Sequence, residues 1–398
     1  MEEKAQGNFP EPLQQWFEIL QTNLPHLTRP QARVLAMWSY SLILTKRIGV
    51  TSNANFLSSY LGQDENTLRQ RLREWYWEAE QKRGAKRREL DVTAIFPELL
   101  QWVLRLWSSQ EKRILLAIDA TTHKDVFVAL TIHVVYRSCA IPIAWRILPA
   151  NQSESWKPHW QELFECLKGS IPQDWKVIVM ADRGLYASWL FQLIQDLGWH
   201  PFLRINQDGK FKLPNEDWQD LQTFITESGQ QRSEEVFCFK HNTVRATLLA
   251  RWVEGYEAPW YILTDLDAQE AQAAWYGMRS WIESGYRDLK QDGWQWESTR
   301  ITNPKRAERV WLVMAVAMLW VLSEGSQSED ALYQKSQSSK SSAKGKTRSN
   351  RGFVRAISCF LRGLHVILAK LLKKQTVSLG PLTSFQGPVA LSPQSLPL

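Results

Sequence analysis

The most restrictive feature of this sequence is a succession of β-rich segments in its middle third, two of which end at an aspartate. These segments are residues 113–119, 126–136, 140–148 and 175–181. The first ends at Asp119, the last is followed directly by Asp182, and a segment typical of a helix, 155–168, precedes the last strand. Three successive strands, a helix and another strand predict an α/β core. Because an isolated aspartate at a strand end is usually a turn or capping residue, these two become informative only together with a third carboxylate.

A third carboxylate lies in the segment 275–295 (WYGMRSWIESGYRDLKQDGWQ), which is typical of an amphipathic helix. At about 100° per residue, one helix face carries a phenol, two guanidiniums, an ammonium and a carboxylate. These residues are Tyr276, Arg279, Glu283, Arg287 and Lys290. A carboxylate can bind a hard cation, while Arg, Lys and Tyr can bind phosphate oxygens. A solvated helix face with i,i+4 ion pairs, such as Glu283–Arg287, accounts for the same pattern.

The spacing of four of these residues is that of a known motif. Tyr-x2-Arg-x3-Glu-x6-Lys, formed here by Tyr276, Arg279, Glu283 and Lys290, resembles the Y-R-E-K signature of the insertion-sequence-four family of DDE transposases, which are found in bacterial insertion sequences. The resemblance covers roughly residues 110–320. It implies an α/β fold with an RNase H-like catalytic core and a β-rich insertion, which falls at about residues 204–266.

The resemblance also implies roles for individual residues. Asp119, Asp182 and Glu283 are implied as the catalytic metal ligands, and Tyr276, Arg279 and Lys290 as contacts to the DNA backbone. Two Mg²⁺ ions, with Mn²⁺ as a substitute, can activate the nucleophile, stabilise the leaving oxygen and neutralise developing charge in phosphodiester cleavage.

Two further residues are candidates for DNA contact. Arg287 shares the predicted helix face with Glu283 and is added to the predicted DNA contacts. Trp260 falls in the expected insertion, and related hairpin-forming transposases stack an unpaired base on a tryptophan of that region. A strand tryptophan that covers the core is the structural alternative for Trp260.

The N-terminal region, residues 1–90, is predicted to be helical and to form a DNA-binding domain. Two helices within residues 53–80, joined by a short turn that contains glycine, resemble a helix-turn-helix. Arginines of the second helix are the candidate DNA contacts: Arg69, Arg71 and Arg73. Helix pairs of this kind also occur in plain bundles, so the DNA-binding and structural interpretations both remain open. Residues 91–110 are expected to form a helical connector.

The catalytic domain is predicted to span residues 111–322, and the rest of the chain is predicted to be less ordered. The expected segments are a flexible Ser/Lys-rich linker at 323–350, a basic amphipathic helix at 351–375 and a disordered tail at 376–398. From residue 331 onward there are 11 Lys or Arg residues and no Asp or Glu, which exceeds the whole net charge of +7. This basicity favours a polyanionic partner without identifying it, and a solvated tail explains it equally well.

The cysteines, the first residues and the longest apolar run bear on the cellular location of the protein and on its association with membranes. The four cysteines form no CxxC pair and are typical of thiols in a reducing compartment. The first ten residues do not resemble a signal peptide. The longest apolar run, residues 310–322, is too short for an ordinary membrane span, so it is predicted to be a buried core helix. We therefore expect no membrane partner and a location in the prokaryotic cytoplasm, at the nucleoid during activity.

The family resemblance, with which these observations agree, implies a transposase that cleaves DNA at the ends of a transposon and transfers the strands into target DNA by a cut-and-paste route. Its partners would be double-stranded DNA, at the terminal inverted repeats and the target, and a second copy of the chain in a homodimer. Three alternatives remain: a DNA-binding regulator, a general RNase H-like nuclease, and a decayed transposase that only binds DNA. A regulator has no need for three carboxylates, and a nuclease has no need for the Tyr-Arg-Lys face.

Overall fold

The computed structural model describes residues 9–84, 87–108, 112–291, 293–341 and 355–383. Within these ranges the α-helices are α1 (Glu11–Asn23), α2 (Arg29–Thr45), α3 (Val50–Leu61), α4 (Glu65–Tyr76), α5 (Phe96–Leu106), α6 (Lys157–Leu167), α7 (Ser188–Asp196), α8 (Trp281–Leu289), α9 (Pro304–Ser341) and α10 (Cys359–Leu372). The strands are β1 (Arg113–His123), β2 (Phe127–Tyr136), β3 (Cys139–Pro149), β4 (Lys176–Ala181), β5 (His200–Arg204), β6 (Lys210–Lys212), β7 (Gln219–Asp220), β8 (Gln231–Cys238), β9 (Val244–Arg251) and β10 (Trp260–Thr264). Short 3-10 segments occur at Ala79–Gln81, Thr93–Ile95, Leu221–Thr223, Ala273–Ser280 and Trp296–Ser298.

The strands form one sheet in the order β3-β2-β1-β4-β5-β10-β9-β8-β6-β7. The strand β2 pairs antiparallel with β1 on one side and with β3 on the other, whereas β4 is parallel to β1 and β5 is parallel to β4. Parallel neighbours need crossover connections, which α6 supplies before β4 and α7 supplies before β5. This topology confirms the predicted RNase H-like α/β core.

The predicted β-rich insertion continues the same sheet beyond β5. β10 pairs antiparallel with β5, with Ile262 opposite Arg204, and β9 and β8 follow it outward as a long hairpin. The insertion therefore extends the sheet of the core at one edge, because its last strand, β10, pairs with the edge of β5. Its end leads directly into the Ala273–Ser280 segment, which carries two residues of the Y-R-E-K motif.

The helix α9 forms the centre of the core, as predicted for the apolar run at 310–322. Every residue from 310 to 322 is buried. Among the described helices, α9 is long and apolar enough to cross a membrane by length and composition, but 94% of its apolar window is buried inside the protein. It packs on β3, α2, α4 and α10. Its burial between sheet and helices matches the core helix expected from the sequence.

The N-terminal helices share this core with the sheet. The indole of Trp16 on α1 stacks on Trp320 of α9 with ring centroids 4.3 Å apart. Trp75 of α4 donates its indole N–H to the carbonyl of Arg309 on α9 at 3.3 Å. The hydrophobic residues of both regions belong to a single cluster. The first 90 residues therefore pack along α9 against the α/β region that contains the sheet.

The prediction of a flexible linker at 323–350 is wrong for its first part, because α9 continues to residue 341. The polar residues that suggested a linker lie partly in the interior. The fully buried carboxylate of Glu329 pairs with Arg137 at 3.4 Å and with Arg355 at 2.9 Å. A buried carboxylate is tolerated when it is paired in this way. Residues 342–350 lie outside the described part of the chain.

The C-terminal region is more ordered than predicted. A helix, α10, lies within the predicted helix at 351–375 and buries one side against α9. The predicted disorder of residues 376–398 is wrong for 376–383, because Leu382 forms a β-bridge with Trp107 and is itself buried. The Pro- and Ser-rich composition of this segment does not predict the contact, because the partner of Leu382 is Trp107, which is far away in the sequence. Residues 384–398 lie outside the described residues.

Candidate active site

The two aspartates singled out in the sequence lie on neighbouring strands at the same level of the sheet. β1 and β4 run parallel with Ile118 opposite Ala181, so the next residues, Asp119 and Asp182, are adjacent. Asp182 directly follows β4, whereas β1 continues beyond Asp119 to His123 and pairs there with β2 alone. The expectation that Asp119 ends its strand is therefore wrong, because the β1–β2 hairpin extends past the parallel part of the sheet.

The third carboxylate, Glu283, lies on α8. The helix predicted over 275–295 is in fact divided into the 3-10 segment Ala273–Ser280 and the nine-residue α8. A Cβ on Gly285 would lie 2.8 Å from the Cβ of Ala140 on β3, so the absence of a side chain allows α8 to lie directly on the sheet. The face of the predicted helix opposite Glu283 was expected to pack on the core: it is buried at Ile282, Gly285 and Leu289 and half-buried at Met278. This packing places Glu283 beside the two aspartates.

The three carboxylates converge on one guanidinium, that of Arg279. Its Nη2 lies 3.0 Å from Asp119 Oδ2 and 3.5 Å from Asp182 Oδ2, and its Nη1 lies 2.9 Å from Glu283 Oε1. The Arg279 side chain is 9% exposed, whereas those of Asp182 and Glu283 are 39% and 47% exposed. The carboxylate cluster, defined as Asp119, Asp182 and Glu283, is therefore closed by Arg279 on one side and open to solvent on the other.

The electrostatics of the cluster follow from burial and from charge density. The pKa of Asp119 is raised to about 6, mainly by burial, with a smaller contribution from Asp182 and Glu283; Arg279 and the amide of Ala120 act to lower it. Burial acts to lower the pKa of Arg279, but the neighbouring carboxylates outweigh burial and raise it. Arg279 therefore stays protonated, and the cluster carries more negative than positive charge when Asp119 is ionised.

The donor chemistry of the cluster fits a hard divalent cation. All three side chains offer carboxylate oxygens, the ligands that Mg²⁺ prefers, and one oxygen of Asp182 also accepts the amide of Gly184 at 2.6 Å. Arg279 offers only N–H donors and cannot be a ligand. As placed, no group of three or more His, Cys, Asp or Glu among the described residues is arranged to hold a metal ion. The carboxylates here hold the guanidinium instead.

Tyr276 and Trp260 lie against each other beside the cluster. The two rings form an edge-to-face pair with centroids 5.4 Å apart, and Arg204 lies over the Tyr276 ring at 5.9 Å. Burial raises the pKa of Tyr276 to about 12. Tyr276 is buried and Trp260 half-buried, so Trp260 is the more accessible of the two. The predicted contacts of Tyr276 with DNA and of Trp260 with a base stay predictions.

Lys290 and Arg287 lie at the C-terminal end of α8. The Nζ of Lys290 donates to Thr121 Oγ1 and to the carbonyl of Thr122, both at 2.9 Å, which joins the end of α8 to the extension of β1. Burial lowers the pKa of Lys290. Arg287 is exposed and donates to Ser284 at 3.1 Å. The ion pair of Glu283 is made with Arg279, so the alternative of a solvated Glu283–Arg287 pair is wrong.

The N-terminal arginines lie on α4, which follows α3 after a turn with Gly62 in the left-handed conformation at φ 63°. Arg69 forms an i,i+4 ion pair with Glu65, and Arg71 donates to Gln63 at 3.0 Å. Arg73 lies in the last turn of α4. These local contacts are typical of a solvated helix face, and the role of the three arginines in DNA binding stays a prediction.

Two site residues that sequence reasoning missed are Thr131 and Tyr286. The hydroxyls of Tyr286 on α8 and Thr131 on β2 lie 2.5 Å apart, and Thr131 donates to the carbonyl of Asp119 at 3.3 Å. The position of Tyr286 three residues after Glu283 was the available signal, since residues three apart are neighbours on a helix. No local sequence pattern identifies Thr131, which is 155 residues away from Tyr286 in the chain.

Comparison with known proteins identifies one matching family. A family model described as the transposase DDE domain matches residues 110–320, more than half of the chain. No curated protein matches the sequence significantly. Among solved structures, a cryo-EM structure of the piggyBac transposase synaptic complex with hairpin DNA is 9% identical, covering 91% of this chain and 78% of that chain with a TM-score of 0.39. The crystal structure of human ENDOV is 13% identical, covering 54% of this chain and 94% of that chain with a TM-score of 0.25.

Proposed function

Because this chain belongs to the transposase DDE domain family, we propose that it carries out cut-and-paste transposition, with metal-dependent cleavage at transposon ends followed by strand transfer into target DNA. The single observation that carries the proposal is the convergence of Asp119, Asp182 and Glu283 on one guanidinium from two strands and a helix. Three acidic side chains from distant parts of the chain share this site, a convergence that packing of the fold does not require.

The residues that would hold divalent ions are Asp119, Asp182 and Glu283. Two Mg²⁺ ions, or Mn²⁺ in their place, would lower the pKa of an attacking water and neutralise the charge on the phosphate. Water would add to the phosphorus at the transposon end and release a 3′ hydroxyl. That hydroxyl would then attack a target phosphodiester and release the target's own 3′ oxygen. Both steps exchange one phosphorus–oxygen bond for another, so neither needs a covalent bond between protein and DNA.

The basic residues at the end of α8 would hold DNA beside the carboxylates. The described contacts of Lys290 use two of the three N–H donors of its ammonium, which leaves one for a phosphate oxygen. Arg287 is exposed in the last turn of α8 and would bind a neighbouring phosphate. Holding phosphates on either side of the scissile bond keeps the leaving oxygen in line with the attacking water.

Several finer features belong to the same proposal. They are membership of the insertion-sequence-four group through the Y-R-E-K motif, recognition of terminal repeats by Arg69, Arg71 and Arg73, base stacking on Trp260, and assembly of a homodimer on DNA. The proposal that includes these features is supported by the spacing of the motif and by the family match. Action at the nucleoid of a prokaryotic cell follows from this proposal.

The test is metal-dependent nicking of a supercoiled plasmid that carries the DNA flanking the gene, because the terminal repeats lie there. Asp119→Asn, Asp182→Asn and Glu283→Gln should each abolish nicking while DNA binding persists, since affinity depends mainly on phosphate contacts. Asp125→Asn, in the exposed turn between β1 and β2, is the control and should cleave normally. Full cleavage by any one cluster variant would remove that residue from the site.

The products separate the proposed function from its alternatives. Cleavage at the repeats followed by joining to a second DNA supports transposition, and joining is scored as a new covalent product on a denaturing gel. Cleavage without joining would favour a general nuclease. Binding without cleavage in either Mg²⁺ or Mn²⁺ would favour a decayed transposase.

A further inference from the structure

Two buried hydroxyls connect the helix that carries Glu283 to the strand that carries Asp119. The Tyr286 hydroxyl lies 2.5 Å from Thr131 Oγ1, and Thr131 Oγ1 donates to the Asp119 carbonyl at 3.3 Å. A threonine hydroxyl has a single hydrogen. Because Thr131 donates it to Asp119, Tyr286 must donate its own hydrogen to Thr131. The two bonds therefore form a directed chain from α8 through β2 to β1.

The rest of Tyr286 is fixed by packing. Its ring lies edge-on to the imidazole of His133, with centroids 5.3 Å apart and an interplanar angle of 88°. One residue earlier, Gly285 holds the backbone of α8 close to Ala140 on β3. Thr131 is fully buried, so water does not compete for either bond. The hydroxyl chain joins α8 to β1 and β2 close to the carboxylates, and the contacts of Lys290 with Thr121 and Thr122 join the far end of α8 to β1.

Tyr286 and Glu283 are three residues apart on the same short helix, so a shift of one moves the other. Thr131 lies opposite Asp119 in the β1–β2 ladder, so its hydroxyl is bonded to the backbone of Asp119 itself. The distance between two carboxylates decides whether they can hold metal ions that share a phosphate. The hydroxyl chain thus spans the two elements whose separation matters for metal binding.

We propose that Tyr286, acting through Thr131, is a positioning residue that fixes the separation of the Glu283 and Asp119 carboxylates for divalent metal binding. This inference rests on the proposed metal-dependent function. Tyr286→Phe keeps the ring and its packing and removes only the hydroxyl. Loss of a hydrogen-bond partner just outside a set of metal ligands typically reduces metal affinity or activity about 10–100-fold. Because the ring remains, we expect about a tenfold loss, at the lower end of that range.

The experiment measures Mn²⁺ affinity in the absence of DNA, by electron paramagnetic resonance of the free ion, together with the kcat and KM of plasmid nicking. Tyr286→Phe should weaken Mn²⁺ binding and lower kcat, with KM for DNA unchanged. Thr131→Val removes the same chain and should reproduce both losses, and the double variant should be no worse than either single one. Thr131→Ser keeps the hydroxyl and should retain wild-type values.

The matched control is Tyr136→Phe. Tyr136 is also buried, and its hydroxyl donates to the carbonyl of Thr383 at 2.8 Å, away from the carboxylates. It should lose a comparable hydrogen bond and leave Mn²⁺ affinity unchanged. Wild-type affinity and kcat in Tyr286→Phe, or an equal loss in Tyr136→Phe, would overturn the inference alone. Failure of the wild-type protein to bind Mn²⁺, or equal binding by Asp119→Asn, would overturn the proposed function together with it.

Discussion

Replacing Arg279 by glutamine tests how the carboxylate cluster is stabilised. The Nη atoms of Arg279 lie within 3.5 Å of an oxygen of each of the three carboxylates. Glutamine keeps a polar side chain but removes the positive charge. We expect the variant to unfold more readily in EDTA and to gain more stability from a divalent ion than the wild-type protein gains.

The size of the loss follows from burial. Removing one partner of a buried ion pair costs about 3–5 kcal/mol. The side chains of Asp182 and Glu283 are 39% and 47% exposed, so water replaces part of what they lose. Asp119, whose pKa is already raised to about 6, can take up a proton. The free energy of unfolding should therefore fall by about 3 kcal/mol, at the low end of that range. The melting temperature of a chain of 398 residues should therefore fall by about 4 °C.

Metal should reverse much of this loss. At a free Mn²⁺ concentration about a hundredfold above Kd, binding to the native state alone stabilises it by about 2.7 kcal/mol. In the wild-type protein the ion competes with the Arg279 guanidinium for the same oxygens, so its apparent affinity should be lower. Thermal unfolding of both proteins in EDTA and across a Mn²⁺ titration measures the two effects together.

A remote ion pair provides the control. Arg306 pairs with Glu78 at 2.6 Å, and Arg306→Gln should lower the melting temperature without changing the response to Mn²⁺. If Arg279→Gln keeps wild-type stability in EDTA, the guanidinium does not compensate the cluster. If its Mn²⁺-induced shift equals that of the wild-type protein, Arg279 and the metal do not compete, and the reasoning fails.

Three further predictions follow from individual contacts. Gly285→Ala should force α8 away from Ala140 and lower the free energy of unfolding by about 1–3 kcal/mol in denaturant titrations, whereas Gly49→Ala, with nothing within 4 Å, should be tolerated. His133 is fully buried and its pKa is lowered to about 3, so the unfolded chain binds its proton first. The contribution of His133 to the free energy of unfolding should therefore be fully present above about pH 6.5 and decrease by up to about 1.4 kcal/mol per pH unit as pH falls toward 3. In urea titrations, His133→Phe should reduce this dependence on pH. An unchanged dependence would mean that other groups cause it. Lys290→Met should reduce the salt dependence of DNA binding by about one unit of slope if Lys290 contacts a phosphate, and an unchanged slope would exclude that contact.

The sequence alone was sufficient for the parts of this protein that depend on local pattern. Alternation and apolar runs predicted β1 to β4 and α6, and the run at 310–322 predicted a buried helix. The family resemblance implied that Glu283 would join Asp119 and Asp182, and the three carboxylates do lie together in the structure. These predictions succeeded because strand and helix periodicity, and the spacing of a motif, are properties of short segments.

Only the tertiary structure decided how those residues meet. A helical projection placed Arg279 on the face of Glu283, and only the tertiary structure shows that the same guanidinium also contacts Asp119 and Asp182. The polar segment after residue 322 is helical as far as residue 341, and Arg137 and Arg355 pair with its buried Glu329. In each case the deciding partner is distant in sequence. Burial of a charge is favourable only when that partner is present, and no local pattern records its presence.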